Sequence, residues 1–194
     1  PASFRPWTFT GRALTVFYGC HQVLRLSHYF LPGILAKGRR VLYLDGGNQI
    51  NPLLIARFAR ERREEPETFN RLIRVSRSFT CFQLTELIAR APEFLKKFAA
   101  EVVMVTALPD LYFDEDVREQ EARTAFGRAL EALQHAALAE RSVVIFSDAT
   151  SMPTARQAFF PRLAAQAEQV VRIGAQASGG LVFTSEKEGR RELG

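Results

Sequence analysis

The chain contains five short segments that are apolar almost throughout, and they recur at regular intervals. These segments are ALTVFYG from Ala13, RVLYLDGG from Arg40, LIRVSR from Leu72, EVVMVTAL from Glu101 and SVVIFSD from Ser142. Strands without polar alternation are typical of a parallel sheet that helices cover on both faces. The pattern therefore predicts five buried strands.

Helical patterns lie between these strands. Asn51 followed by Pro52 is an N-cap and first-turn signal, and the helix that it opens is predicted to extend to about Glu65. In the segment 119–140 the apolar positions step by three and four residues, which predicts a long amphipathic helix.

A further helix is predicted after the third strand. Thr80 and Gln83 have the spacing of a capping box, and the apolar residues after them follow a period of 3.6. Because a proline removes a backbone donor, Pro92 is expected to kink this helix or end it early.

Strands that alternate with helices predict right-handed crossovers and a doubly wound, mainly parallel sheet flanked by helices. The segment 153–168 is predicted to be helical, and 169–185 is predicted to form a terminal β-hairpin. We expect one domain over residues 1–194, with a lead-in at 1–12 and a flexible tail at 186–194.

The composition favours an ordinary globular domain. The chain is 47% hydrophobic and 24% charged, which excludes the disordered, collagen-like and disulfide-scaffold classes. No apolar run is long enough for a signal peptide or a membrane span, so no membrane association is expected. Cys20 and Cys81 have no partner at metal-ligand spacing, and a reduced, cytoplasmic protein is expected.

Charge is distributed unevenly along the chain. Residues 1–100 carry 16 basic and 7 acidic side chains, whereas residues 101–194 carry 10 basic and 14 acidic ones. This asymmetry is compatible with nucleic-acid binding by the N-terminal half and equally with a solvated surface.

In an open parallel sheet, ligands bind beyond the carboxyl ends of the strands. The residues that follow the predicted strands are therefore the candidates for chemistry. They are GCHQVLRLS at 19–27, DGGNQINP at 45–52, TALPDLYFDED at 106–116 and SDATSMP at 147–153.

Three strand-end stretches, in their order and spacing, resemble the ATPase core of the RecA-type strand-exchange recombinases. VLYLDGGNQINP is similar to that family's strand ending in Asp-Thr-Glu-Gly and continuing to Pro, and IRVSRSFTCFQLTEL is similar to its "ARAFN…Q…L" stretch. VVMVTALPDLY is similar to its Walker B strand and following Leu-Tyr. The resemblance covers nearly the whole chain and implies a RecA-like P-loop NTPase fold.

The same resemblance implies that the phosphate-binding loop is degenerate. It places Gly19 on the family's first loop glycine, and Leu24, Arg25 and Leu26 where Gly-Lys-Thr would stand. A phosphate cradle needs glycine, a lysine point charge and a hydroxyl on Mg²⁺. Leu24 adds a Cβ where the backbone of the cradle has to approach the phosphates closely. The planar guanidinium of Arg25 replaces a point charge poorly, and Leu26 has no hydroxyl to bind Mg²⁺.

The other chemical positions differ in the same direction. The resemblance places Gly47 at the water-activating glutamate, Thr106 at the Walker B aspartate, and Asp148 at the glutamine that senses the γ-phosphate. A carboxylate at Asp148 would repel a triphosphate. We therefore expect no catalytic residues, no ATPase activity, no cofactor and no metal.

The resemblance implies an accessory or regulatory protein of DNA recombination or repair that acts through protein contacts. The expected partner is a second copy of the chain or another protein, of which a RecA-family ATPase is one candidate. Two alternatives stay open: nucleotide binding without hydrolysis in a rearranged pocket around Arg25, and a nucleic-acid-binding module. The candidate nucleic-acid contacts are Arg57, Arg60, Arg63, Arg156 and Arg162.

Each of the remaining polar clusters has a simpler interpretation. Interleaved glutamates around Arg57 favour ordinary ion pairs on a helix surface. Cys20 and His21 beside Asp45 and Asp148 have the residue types of a nucleophile, a base and an orienting acid, but packing roles are favoured. The aromatic pair at 159–160 has the residue type of a base-stacking platform, but a place in the core or in an interface is favoured.

An acidic loop follows the fourth strand. Asp110, Asp114, Glu115 and Asp116 lack the glycine turn of a calcium loop and are interpreted as a solvated surface. This loop falls where the family's first DNA-binding loop lies, and its acids are a poor match for phosphate.

Overall fold

The computed structural model describes residues 13–20, 22–138, 141–149, 154, 156–175 and 180–187. They form one seven-stranded sheet in the order β3-β2-β4-β5-β1-β6-β7, and every pairing is parallel except the antiparallel β6-β7 hairpin. The strands are β1 Ala13–Gly19, β2 Val41–Asp45, β3 Ile73–Arg77, β4 Val102–Thr106, β5 Ser142–Ser147, β6 Gln169–Ala175 and β7 Leu181–Lys187.

Helices cover both faces of the sheet, as predicted for a doubly wound α/β fold. They are α1 Val23–Leu35, α2 Pro52–Glu61, α3 Pro66–Arg71, α4 Cys81–Ala89, α5 Ala91–Phe98, α6 Glu119–Leu138 and α7 Phe159–Gln166, with a short 3-10 helix at Asp110–Phe113. One apolar core lies under α1, α2 and α3, and a second lies under α4 to α7. The mainly parallel sheet and the C-terminal hairpin are thereby confirmed.

The prediction of strands buried on both faces is correct for the centre of the sheet and wrong for β3. All residues of β2, β4 and β5 are buried. In β3 only Ile73 is buried, and Val75 is 41% exposed. The reason is position, because β3 ends the sheet and has a strand neighbour on one side only.

The cap at Asn51 is confirmed, but the helix after it is shorter than predicted. The Asn51 side chain accepts a hydrogen bond from the Leu54 N–H at 3.1 Å. Helix α2 ends at Glu61, and Glu65 is extended because it precedes Pro66, which starts α3.

The second cap and the proline break are also present. The Thr80 hydroxyl accepts from the Gln83 N–H at 3.2 Å, and the Gln83 side chain accepts from the Phe79 N–H at 2.8 Å. The predicted helix is split, since α4 ends at Ala89 and α5 begins one residue before Pro92.

The chain ends differ in detail from the predicted boundaries. Strand β7 runs to Lys187, two residues beyond the predicted hairpin. The predicted lead-in at 1–12 and the positions 139–140, 153 and 188–194 lie outside the described residues.

Candidate functional site

The carboxyl ends of the parallel strands meet at one edge of the sheet, which we call the carboxyl edge. Across it, Asp45 pairs with Thr106, Thr106 with Phe146, and Tyr18 with Ser147. The strand order therefore brings together the predicted positions after β1, β2, β4 and β5.

Gly19 is required at this edge by the neighbouring strand. It has a φ of +132°, and a Cβ added to it would lie 2.2 Å from the Ile173 carbonyl oxygen of β6. The next residue, Cys20, donates its N–H to the same oxygen at 3.1 Å. Packing of β1 against β6 is thus a sufficient reason for this glycine.

In the turn from β1 into α1, backbone N–H groups donate hydrogen bonds to carbonyls of the same turn. The Val23 N–H donates to the Cys20 carbonyl at 2.8 Å. The N–H groups of Arg25 and Leu26 donate to the Gln22 carbonyl at 3.0 and 3.2 Å. A phosphate cradle needs such N–H groups to be free, and these three are occupied by the chain's own carbonyls.

Leu24 and Gly47 lie against each other across the edge. A Cβ on Gly47 would lie 3.0 Å from Leu24 Cδ1 and 3.3 Å from Gln49 Cγ. Leu24 and Leu26 are half-buried and pack on the core under α1. The space where the resemblance puts a water-activating glutamate is therefore filled by a leucine.

Arg25 is exposed and bonded to the loop after β2. Its Nε donates to Gln49 Oε1 at 3.3 Å, while Gln49 Nε2 donates to the Gly47 carbonyl at 2.8 Å. The structure thus joins three of the predicted positions, Leu24, Arg25 and Gly47, through apolar contact and Gln49.

Asp45 is fully buried and anchors the loop that follows it. Its carboxylate accepts from the N–H groups of Gln49 at 3.0 Å and Ile50 at 2.9 Å. It also accepts from the Thr106 hydroxyl at 3.0 Å, and Thr106 Oγ1 in turn accepts from the Gly47 N–H at 3.1 Å. With Arg77 Nε 3.8 Å away, this carboxylate is a structural group, as Asx residues before glycine turns often are.

His28 is a further polar group of this region that the sequence pattern did not reveal. It is 2% exposed, its Nε2 accepts from the Asn51 N–H at 2.9 Å, and its Nδ1 donates to the Arg25 carbonyl at 3.0 Å. Burial lowers the pKa of His28 below its ordinary value. The neutral imidazole therefore ties α1 to the N-terminus of α2.

Asp110 corrects the prediction of a solvated acidic loop. Asp114, Glu115 and Asp116 are exposed as expected, but Asp110 is 7% exposed. It accepts from the Ser147 hydroxyl at 2.8 Å and from the Asp148 N–H at 2.5 Å. Burial raises the pKa of Asp110 to about 6 against these hydrogen bonds.

Asp148, the remaining predicted position, follows β5 and is half-buried. Its backbone is held by Asp110, and its buried Oδ1 has no hydrogen-bond partner among the residues that the structure describes. The structure therefore places Asp148 with Asp110 and Ser147.

The five arginines predicted to contact nucleic acid fall into two separate groups. Arg57, Arg60 and Arg63 lie on or just after α2, where Arg57 Nε pairs with Glu61 Oε1 at 2.7 Å and Arg63 has a left-handed φ of +60°. Arg156 and Arg162 pack against the other side of the sheet, so the two groups do not form one surface.

The guanidiniums of this second group are engaged within the chain. Arg156 Nη1 donates to the carbonyls of Tyr112 at 2.8 Å and Asp114 at 2.7 Å, and Nη2 donates to the Val117 carbonyl. Arg162 lies over the ring of Phe126 at 5.5 Å. Arg156 therefore holds the segment before α6, and Arg162 packs on the body of α6.

The other candidates are mostly packing residues. Phe159 is buried and stacks on Phe126 with centroids 4.8 Å apart, and Phe160 lies 4.6 Å from Tyr18. Cys20 is half-buried, and His21 lies outside the described residues. The residues that the structure describes contain no cluster of three His, Cys, Asp or Glu side chains able to hold a metal ion.

Among the described helices, none combines the length and the apolar character that crossing a bilayer requires. Comparisons of the chain with protein-family models and with curated protein sequences found no match.

Proposed function

We propose that this chain is a non-catalytic, RecA-like accessory or regulatory domain of DNA recombination or repair that works through protein contacts. The assignment to DNA recombination or repair rests on the resemblance of three strand-end stretches, in the same order along the chain, to the RecA-type recombinases. The mainly parallel sheet, with those stretches at one edge, is the architecture that such a resemblance requires.

The contact of Leu24 with Gly47 carries the proposal. It fills the space beside the end of β2, and the amides of Arg25 and Leu26 beside it donate to Gln22. Hydrolysis of a nucleoside triphosphate needs charge neutralisation, a metal ligand and a group that orients water. In this chain the corresponding positions are occupied by Arg25, Leu26, Thr106 and Gly47. None of them is the residue type that performs the corresponding step in the family.

Exposed aromatic side chains support a role in protein contacts. Phe79, which precedes the N-cap of α4, is 67% exposed, and Phe82, in the first turn of α4, is 47% exposed. Phe82 also lines a groove of about 490 Å³ between α4 and α6, where Thr124 and Ala125 lie on the opposite wall. An exposed aromatic pair beside such a groove is typical of an interaction surface.

The test measures ATP and ADP binding by isothermal titration and phosphate release, each with and without Mg²⁺. We expect no magnesium-dependent hydrolysis and no saturable binding, because the amides and the space are used within the chain. The matched control is Arg25→Ala, which should leave any trace activity of a contaminant unchanged. Hydrolysis that needs Mg²⁺ and disappears in Arg25→Ala would overturn the proposal.

A further inference from the structure

A basic cleft lies at the opposite edge of the sheet, where β2 and β3 begin; we call it the amino-edge cleft. Its volume is about 480 Å³. Four cations from four elements line it: Arg40 precedes β2, Arg71 ends α3, Arg74 is the second residue of β3, and Lys97 lies near the end of α5.

An aromatic ring fixes two of these cations in the cleft. The guanidinium carbons of Arg40 and Arg74 lie 5.7 and 4.8 Å from the centre of the Phe98 ring. Arg40 Nη1 also donates to the Phe98 carbonyl at 3.1 Å. The planar guanidinium groups of Arg40 and Arg74 are thus held in position next to solvent without a ligand.

The cleft carries excess positive charge. Glu67 is its one acidic lining residue, and among the residues that the structure describes Arg71, Arg74 and Lys97 have no carboxylate in ion-pair contact. The ends of α3 and α5 there add roughly half a negative charge each. Four cations against Glu67 and two helix ends leave a net charge of roughly +2.

We propose that the amino-edge cleft binds the phosphate groups of a nucleic-acid backbone. Arginine forks bind phosphate oxygens in pairs, and cations spread over four elements match successive phosphates better than one. Because Arg40 and Arg74 occupy the Phe98 ring, no base stacks there, and binding is independent of sequence. This proposal goes beyond the accessory function and does not rest on it.

The cleft is not the surface around α2 whose arginines were candidate nucleic-acid contacts in the sequence. Arg57 and Arg60 of α2 and Arg62, which directly follows the helix, are exposed among interleaved glutamates, and Arg57 is paired with Glu61. They therefore provide a charge-matched control for the cleft on the same molecule.

The experiment measures fluorescence anisotropy of a labelled single-stranded oligonucleotide and of its duplex across a salt series. The cleft variant Arg71→Gln/Arg74→Gln/Lys97→Gln is compared with the control Arg57→Gln/Arg60→Gln/Arg62→Gln. We expect the cleft variant to bind at least ~10-fold more weakly, with a salt slope reduced by about 2 to 3, whereas the control changes by less than ~3-fold. Far-ultraviolet circular dichroism and the melting temperature check that both variants fold.

Two results would overturn the proposal. They are equal losses of affinity in the two variants, and no oligonucleotide binding by the wild type at about 50 mM salt. Because the readout is DNA affinity alone, failure here leaves the test with ATP unaffected.

Discussion

The two edges of the sheet use their charged groups in opposite ways. At the carboxyl edge, the Asp45 carboxylate is buried and accepts three hydrogen bonds from the chain itself. At the amino-edge cleft, Arg71 and Lys97 converge on open space without an acidic partner among the described residues. The fold satisfies the buried Asp45 carboxylate internally, whereas the cations of the cleft lie in open space, where the proposed phosphate ligand would bind.

The largest expected effect is at Gly19. Gly19→Ala places a Cβ against the Ile173 carbonyl and requires a φ that alanine rarely adopts, so the free energy of unfolding should fall by more than about 4 kcal/mol. The control Gly33→Ala has no atom within 4 Å of the new Cβ and lies within α1. It should gain ~0.5 to 1 kcal/mol. Equal effects of the two substitutions in urea unfolding would contradict this account of the carboxyl edge.

The next effect is a dependence of stability on pH that Asp110 contributes. Because its pKa rises from 3.8 unfolded to about 6 folded, the folded state binds the proton more tightly. Its contribution is present below pH 3.8 and is lost as the pH rises through 6. Relative to Asp110→Asn, the wild type should lose roughly 2 to 3 kcal/mol over this range. Parallel pH profiles of the two proteins in denaturant unfolding would rule it out.

A smaller effect tests the filled space at the carboxyl edge. Gly47→Ala should cost about 1 kcal/mol, because the new Cβ meets Leu24 Cδ1 at 3.0 Å. In a Leu24→Ala background most of that cost should vanish, which gives a coupling energy of about 0.5 to 1 kcal/mol in a double-mutant cycle. Additive costs would show that Leu24 does not fill this space.

The smallest effect is expected in the amino-edge cleft. Arg71→Gln and Lys97→Gln should each change the free energy of unfolding by no more than about 0.5 kcal/mol, since neither breaks an ion pair. The matched control Arg39→Gln breaks the pair between Arg39 Nε and Glu101 Oε2 at 3.2 Å and should lose about 1 kcal/mol. A loss at Arg71 as large as at Arg39 would make the cleft a structural feature.

Local signals along the chain were sufficient for much of the fold. The cap at Asn51, the cap at Thr80 and the break before Pro92 are settled by neighbours within four residues, so their predictions were correct. Strand order is not local, and the exposure of β3 follows only from its place at the end of the sheet. The burial of Asp110 likewise depends on Ser147, 37 residues away.

For the candidate site, too, the sequence predicted the positions of the residues but not their long-range contacts. The positions at the carboxyl edge were predictable because parallel strands end together. Their contacts were not, since Leu24 meets Gly47 only after two strands are placed. The basic excess of the N-terminal half, to which all four cations of the amino-edge cleft belong, was visible in the sequence. The cleft itself was not, because Arg40, Arg74 and Lys97 are brought together only by the pairing of β2 with β3 and by the position of α5.

Because β3 is an edge strand, Arg74 also protects the sheet against extension by another molecule. In the described part of the chain, β3 has backbone groups on its outer side that no strand covers, and Val75 is exposed there. Charged side chains on such a margin discourage another molecule from extending the sheet by hydrogen bonding. Neutralising Arg74 therefore lowers both the affinity for an anion and the colloidal solubility, and in concentrated solution the chain would self-assemble more readily.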